Sequence, residues 1–239
     1  MISDSERNTL STTLDRPHSQ LLFFLLFFVF LETATCTGLF AQDRTQADAK
    51  PRVSLGVLID TSAHQKKVIE FQREVVNSIA DAFSGVATES FVVRYGNEVV
   101  TLQDWSPIDS GLRKVSTRIE LDAESGKNQR TLLYEALNVA LQKLEKVNSA
   151  NSKILIVVGE GNSAGGGIKY SHIAKRGKAA HVQCFALLVA DHNLMGGRVR
   201  HFGFYLYDLA AATKGKAYDV GNSRKNLDKA IRDVLKRVR

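Results

Sequence analysis

Cysteine is scarce in this chain, and its scarcity limits the disulfides that the chain can form. The two cysteines are Cys36 and Cys184. Residues 32–35, which precede Cys36, lack the leucine and the small residue of a lipoprotein signal, which argues against a lipid anchor. With the amino-terminal segment removed, Cys184 stands alone, and no intrachain disulfide can form even in an oxidising compartment. Its place in the apolar residues 182–189 predicts a thiol buried in the core.

A hydrophobic run long enough to span a bilayer is also lacking. The apolar residues 21–31, LLFFLLFFVFL, number only 11, whereas a spanning helix needs about 20. They follow a polar, weakly basic start and precede small residues that end at Ala41, a pattern typical of a secretory signal peptide. Cleavage after Gly38 and cleavage after Ala41 both fit this pattern. We therefore expect an exported protein, periplasmic or extracellular, in which residues 1–41 are removed and residues 42–51 form a polar linker.

Paired zinc-binding motifs and interleaved aromatic and basic residues are missing as well. The six histidines include no H-E-x-x-H spacing, so a dedicated zinc enzyme has no support, and nucleic acid is not an expected partner. The net charge is +7, and removal of residues 1–41, with two basic and four acidic residues, would raise it to +9. Basic clusters occur at Lys175, Arg176 and Lys178, at Arg198 and Arg200, and at Lys236, Arg237 and Arg239. They favour anionic surfaces such as cell-envelope polymers, although solvated helix faces would explain them more simply.

From about residue 52 the chain alternates short apolar runs with amphipathic segments. The predicted strands are residues 53–59, 89–95, 98–102, 153–158, 181–189 and 217–220. The predicted helices and helical crossover are residues 65–83, 109–119, 131–147, 168–178 and 224–239. Gly96 and Asn97 mark a hairpin turn between the second and third strands. The pattern predicts one α/β domain over residues 52–239, with a doubly wound, mostly parallel sheet and one antiparallel edge hairpin.

Polar residues follow the predicted strands at the edge where such sheets bind ligands, which is formed by the carboxyl ends of the strands. Asp60, Ser62 and His64 follow the first strand, and Glu160 lies between two glycines after the fourth. Thr131 precedes the second long helix. Asp60 and Glu160 carry carboxylates, and Ser62 and Thr131 carry hydroxyls.

This arrangement resembles the metal-ion-dependent adhesion site of the von Willebrand factor type A family, whose first loop reads Asp-x-Ser-x-Ser. Asp60, Ser62 and Thr131 match the family motif, Glu160 replaces an aspartate, and His64 replaces the second serine. Residues 206–215, LYDLAAATKG, resemble the late helix of the family, and the resemblance is closest to a secreted bacterial, acidobacterial-type branch.

The resemblance implies a binding or adhesion module rather than an enzyme. Its partner would be a protein or an anionic cell-envelope component, and a partner carboxylate would complete the shell of Mg²⁺ or Mn²⁺ held by the four oxygen ligands. An imidazole at position 64 is a softer ligand that suits Zn²⁺ better. Without metal, the same loops could bind through shape and the basic clusters alone.

A hydrolase is the enzymatic alternative. Residues 161–165 read GNSAG, which fits the nucleophile elbow G-x-S-x-G between a strand and a helix. Ser163 would be the nucleophile, and Asp191 with His192 or His201 would complete the order Ser, Asp, His. The short interval between Ser163 and Asp191 and the lack of a His-Gly-Gly-Gly loop weigh against this interpretation.

Three further interpretations of these residues and of the domain also remain open. Residues 159–164 nearly match a dinucleotide fingerprint, but an acidic residue about 20 positions further on is missing. Asp60 and Ser62 could merely cap the first helix. The domain could also serve as a scaffold subunit, for which an exposed apolar patch away from the strand ends would be the distinguishing feature.

Overall fold

The computed structural model describes residues 52–122, 130–148, 151–191 and 203–238. The strands are β1 (Val53–Asp60), β2 (Ala87–Tyr95), β3 (Val99–Pro107), β4 (Ser152–Gly159), β5 (Val182–Leu188) and β6 (Lys216–Asp219). The helices are α1 (Ile69–Phe83), α2 (Ile108–Ser116), α3 (Leu133–Glu145), α4 (Tyr170–Ala179), α5 (Phe204–Ala212) and α6 (Arg224–Val238). Within these described residues no helix is both long and apolar enough to cross a membrane. The predicted signal peptide, the linker, Arg198, Arg200 and Arg239 lie outside them.

The strands form a single six-stranded sheet in the order β3-β2-β1-β4-β5-β6. β1 pairs in parallel with both β2 and β4, and β5 pairs in parallel with β4 and β6. Only β3 runs antiparallel, against β2 at the edge of the sheet. The predicted fold class, a mostly parallel α/β sheet with one antiparallel edge hairpin, is confirmed.

Helices cover both faces of the sheet, which explains why the central strands are apolar at nearly every position. On β1, Leu55, Val57 and Ile59 pack in the core that α1, α2 and α6 complete. Leu58 points the other way, into the core formed with α3, α4 and α5. Each such side chain stabilises the fold by roughly 1.5–3 kcal/mol when it is fully buried. Packing on both faces therefore holds β1, and with it the residues at its carboxyl end, in place.

Two predicted boundaries were wrong. Residues 65–83 are not one helix, because a 3₁₀ helix (Ala63–Lys67) comes first and Val68, with φ −121°, separates it from α1. The buried Gln72 donates a 2.6 Å hydrogen bond from Nε2 to Oε1 of Gln65, which fastens the 3₁₀ helix to α1. The third strand, predicted at residues 98–102, extends to Pro107, and in this extension the Trp105 ring packs edge-on against Phe91, 4.7 Å between centroids.

The predicted burial of Cys184 is confirmed, since its side chain is 2% exposed on β5. Burial raises the pKa of the thiol to about 12, so the thiolate that reacts with oxidants and metals is scarcely populated at neutral pH. The backbone N–H of Cys184 donates to Oγ1 of Thr213 at 3.1 Å, which ties β5 to the end of α5.

Helix α6 is fastened to β6 through one carboxylate. Asp233 Oδ2 lies 2.9 Å from Lys216 Nζ, accepts a 3.0 Å hydrogen bond from the Tyr218 hydroxyl, and lies 3.5 Å from Arg237 Nε. The hydrogen bond from Lys216, followed by that from Tyr218, lowers the pKa of Asp233 to about 2. A carboxyl group with a depressed pKa stabilises the fold above its unfolded pKa, and that contribution disappears as the pH falls towards 2.

Asp233→Asn is therefore expected to lower the unfolding midpoint at pH 7 by about 1–3 °C, the size typical of a partly exposed ion pair. The difference from the wild type should shrink between pH 4 and pH 2. Thermal unfolding followed by circular dichroism over this range measures it. Asp228→Asn, an exposed position on the same helix, is the matched control. A difference for Asp233→Asn that persists unchanged at pH 2 would show that the carboxylate charge is not responsible.

Candidate functional site

The ends of β1 and β4 bring two carboxyl groups together. Ile59 pairs with Val158, so Asp60 at the end of β1 lies beside Gly159, and Glu160 follows at once. Asp60 is 1% exposed. Burial raises its pKa to about 7, and the negative charge of Glu160 adds to this rise while hydrogen bonds from Ser62 oppose it. An ionised Asp60 is therefore poorly compensated by the protein around it.

Asp60 and Ser62 form a local turn at the end of β1. Asp60 Oδ1 accepts a 3.0 Å hydrogen bond from the Ser62 N–H, the local turn that aspartate commonly makes two residues ahead. Ser62 directly precedes the 3₁₀ helix, but its hydroxyl makes no capping hydrogen bond there. The interpretation of Ser62 as a side-chain cap is therefore wrong, and Ser62, which is 3% exposed, has a hydroxyl that the helix does not use.

Gly159 allows the two strand ends to approach. Its φ is +147°, and a Cβ at this position would lie 2.4 Å from Asp60 Cβ, 2.9 Å from Tyr95 Oη and 3.0 Å from Asp60 Oδ2. No other residue type fits this space without displacing one of these groups. The Tyr95 hydroxyl is fully buried and has no hydrogen-bond partner among the described residues. Asp60 thus lies next to a buried polar atom that the protein leaves unsatisfied.

Glu160 forms the more open side of the site. It is half-buried, and burial raises its pKa while the nearby His64 and a hydrogen bond from Asn162 lower it. Asn162 Nδ2 donates to Glu160 Oε2 at 3.0 Å. His64 is exposed, so the imidazole that replaces the family serine lies at the rim near Glu160.

Thr131 is brought to the same edge by a small piece of antiparallel pairing. Its N–H donates to the Ala164 carbonyl at 2.9 Å, and the Ala164 N–H donates back to the Thr131 carbonyl at 3.0 Å. This bridge ties the loop before α3 to the loop that begins at Glu160. Thr131 is 3% exposed, and it is not the first residue of the helix, which starts at Leu133.

Asp122 supports the loop that follows β1, a role that the sequence did not predict. Its Oδ1 accepts a 2.8 Å hydrogen bond from the Thr61 hydroxyl and pairs with Arg94, and its Oδ2 accepts from the Asn97 N–H at 2.6 Å. Its own N–H donates to the Thr61 carbonyl at 2.8 Å. Asp122 therefore fixes the backbone between Asp60 and Ser62 from outside, and no local pattern around residue 122 signals this role.

The hydrolase alternative gains no support from the described residues. The Ser163 hydroxyl donates to the Thr131 carbonyl, 3.4 Å away, which is a structural contact and not a bond to a base. Asp191 lies 3.8 Å from Lys67 in an ion pair. His192 and His201 are outside the described residues.

The donor set fits a hard cation better than a soft one. Among the described residues no three His, Cys, Asp or Glu side chains are grouped as a metal site, so the carboxylates of Asp60 and Glu160 would need the hydroxyls of Ser62 and Thr131 beside them. Oxygen atoms of this kind suit Mg²⁺ or Mn²⁺. A hydrated cation would neutralise the buried carboxylate of Asp60 and offer a hydrogen-bond partner to the Tyr95 hydroxyl.

Solved structures identify this architecture. A von Willebrand factor type A protein from Catenulispora acidiphila superposes with a TM-score of 0.60 at 11% identity, over 79% of this chain and 43% of that one. The fold is that of a von Willebrand factor type A domain. The conserved hypothetical protein BatB from Bacteroides thetaiotaomicron matches this type A-like fold with a TM-score of 0.57 at 17% identity, over 77% of this chain and 98% of that one.

A third structure with the type A-like fold is described as a pilus adhesin, SpaC from Lactobacillus rhamnosus GG. It matches with a TM-score of 0.54 at 10% identity, over 81% of this chain and 30% of that one. No protein-family model and no curated protein matches the chain by sequence. The structural matches therefore establish the type A-like fold, and the chemistry of the site has to be argued from its residues.

Proposed function

We propose that this protein is an exported binding module of the secreted bacterial type A branch, and that it captures a protein or anionic cell-envelope partner at the carboxyl ends of its strands. Asp60, Ser62, Thr131 and Glu160 would hold Mg²⁺ or Mn²⁺. When bound, the cation supplies open coordination positions that a carboxylate of the partner can fill. The adhesin among the proteins of similar fold is consistent with this role.

One observation carries the proposal, and it is the placement of Asp60. A fully buried carboxyl group beside a second carboxyl group is costly unless something neutralises the charge. Burial raises the pKa of Asp60 to about 7, and this supports a role for a neutralising ligand at the site. A divalent cation between Asp60 and Glu160 would provide it, since an opposite charge close by favours ionised carboxylates.

Exposed aromatic side chains lie beside this site and favour a protein partner. Phe204, Tyr205 and Tyr207 are 55%, 46% and 43% exposed. Gly203, just before them, packs against the backbone of Glu160, since a Cβ on Gly203 would be 3.4 Å from the Glu160 carbonyl oxygen. Aromatic residues are enriched in the centres of protein interfaces.

The position of these aromatic residues argues against the alternative that the domain is a scaffold subunit. Tyr205 packs on Tyr170 and Tyr134, with centroid distances of 5.1 and 5.8 Å. These tyrosines stand at the first turns of α3, α4 and α5, where each helix leaves the carboxyl ends of the strands. Among the residues that the structure describes, the large exposed apolar side chains thus lie next to the candidate site, whereas a scaffold role would call for a patch away from it.

Titration of the protein with Mn²⁺, followed by the electron paramagnetic resonance of free Mn²⁺, tests the proposal. We expect one saturable site, and Asp60→Asn should weaken binding by about tenfold or more because it removes a buried charged ligand and keeps the side-chain shape. His64→Ser should strengthen binding, since a hydroxyl replaces the softer imidazole. Asp228→Asn is the control for a general loss of negative charge. Unsaturable binding, or equal affinity in Asp60→Asn and the wild type, would contradict the proposal.

A further inference from the structure

A cleft of about 710 Å³ opens at the edge of the sheet opposite the candidate metal site. It lies where β4 and β5 begin and where α4, α5 and α6 end. We propose that this cleft, referred to below as the basic cleft, binds a ligand that carries several closely spaced phosphate groups. Its cations are Lys153, Lys178, Lys214 and Arg237, the imidazole of His181 lies beside them, and the described residues that line the cleft include no aspartate or glutamate.

Most of these cations are free to meet a ligand. Arg237 pairs with Asp233, but within the described part of the chain Lys153, Lys178, His181 and Lys214 form no ion pair. Like charges gathered in one concave surface repel one another and raise the local potential, which attracts anions. The fold creates this concentration, because it brings together residues that lie far apart in the sequence.

Two of the basic residues of the cleft occupy backbone positions that glycine adopts with less strain. His181 and Lys214 have φ values of +54° and +61°, and they are the non-glycine residues with positive φ among those described. Each follows the end of a helix, α4 or α5, at the position where glycine is the usual residue. A side chain there is strained in a left-handed conformation. That both of these strained residues carry basic side chains into one cleft indicates that the side chains have a function there.

Helix polarity does not explain the whole cluster. Lys178 lies in the last turn of α4, where a cation is favoured by the helix dipole. Lys153, by contrast, is in β4, and its charge has no helix end of its own to stabilise. The cleft also combines charges from three helix ends and one strand, which is more than local capping requires.

The kinds of cation present favour phosphate over carboxylate. A lysine ammonium group is a compact charge with three donors and binds phosphate oxygens from any direction, whereas flat carboxylates are matched best by the fork of arginine. The arginine of the cleft, Arg237, is already engaged by Asp233. The volume is that of a pocket for a ligand larger than a single ion, so a short chain of phosphate groups fits it better than orthophosphate.

Isothermal titration calorimetry of the full-length chain with tripolyphosphate, orthophosphate and citrate tests this inference. We expect tripolyphosphate to bind at least about tenfold more tightly than orthophosphate or citrate, and to bind more weakly as NaCl is raised from 50 to 200 mM. Lys153→Gln combined with Lys178→Gln should weaken binding about tenfold. Lys225→Gln, an exposed charge on α6 outside the cleft, should leave the affinity unchanged.

Lys214→Gly separates a ligand-binding role from a structural one. Because glycine relieves the left-handed strain, this variant should unfold about 2–4 °C higher than the wild type while binding tripolyphosphate about threefold more weakly. The proposal is overturned if tripolyphosphate does not bind or binds no better than citrate. It is also overturned if Lys225→Gln weakens binding as much as the cleft variants, or if Lys214→Gly keeps full affinity.

Discussion

Gly159→Ala is expected to lower the free energy of unfolding by about 3–5 kcal/mol, from the backbone strain and the overpacking that it introduces. The new methyl group would stand 2.4 Å from Asp60 Cβ and 2.9 Å from the buried Tyr95 hydroxyl. Neither neighbour can retreat, since Asp60 is held at the end of β1 and Tyr95 is fully enclosed by the core. Chemical denaturation with urea, followed by circular dichroism, measures the change.

Gly85→Ala is the matched control for this prediction. Gly85 also has a positive φ, +75°, but a Cβ there would meet no atom within 4 Å. The control thus carries the backbone strain without the steric clash and should cost only about 1 kcal/mol. Equal losses in the two variants would mean that the close approach of β4 to Asp60 contributes nothing beyond backbone conformation.

Mg²⁺ or Mn²⁺ at 100 times its dissociation constant is expected to stabilise the native protein by about 2.7 kcal/mol and to raise the unfolding midpoint by about 5–11 °C. The reason is that the cation neutralises Asp60 and Glu160 only when the fold holds them together. Differential scanning fluorimetry in EDTA and in millimolar Mg²⁺, Mn²⁺ or Zn²⁺ measures the shift. In Asp60→Asn the same metal concentration should give about half of this shift or less, while the midpoint in EDTA should equal or exceed that of the wild type because a buried charge has been removed.

The choice of metal distinguishes two forms of the site. A shift with Mg²⁺ or Mn²⁺ that is reduced in Asp60→Asn and kept in His64→Ser identifies an oxygen-ligand site in which His64 is not a ligand. A shift with Zn²⁺ alone that is lost in His64→Ser would assign the imidazole as a ligand and contradict the proposed chemistry. The absence of a shift with every metal would remove the cation from the proposed binding mechanism.

The strands and helices that the sequence predicted best are those whose apolar side chains follow one clear pattern. The run at residues 53–59 is apolar at almost every position because β1 is covered on both faces, and this alone identifies a central parallel strand. The predictions failed where a tertiary contact replaces local preference. Trp105 extends β3 because its ring finds Phe91 on the neighbouring strand, and residues 63–67 form a 3₁₀ helix fastened by the contact between Gln65 and Gln72.

The candidate site shows the same division. Asp60 and Glu160 could be found from the sequence, because each directly follows a buried strand and the ends of parallel strands meet at one edge. Tyr95 and Asp122 could not be found in this way. Tyr95 reads as an ordinary strand residue, and the partners of Asp122 lie 25 to 61 positions away in the chain. The residues next to position 122 in the sequence give no sign of contacts with such distant partners.

By itself the sequence determined the class of fold, the order of its elements and the residue types available at the edge of the sheet, because burial on two faces leaves a periodic pattern that can be read along the chain. The tertiary structure alone decided which of those residues act together. It placed Gly159 against Asp60 and left the Tyr95 hydroxyl unsatisfied beside them, and it gathered Lys153, Lys178 and Lys214 into one cleft at the other end of the sheet. These contacts depend on the order of the strands and on distances between atoms whose residues lie far apart in the sequence. Such distances are set only when helices pack on both faces of the sheet.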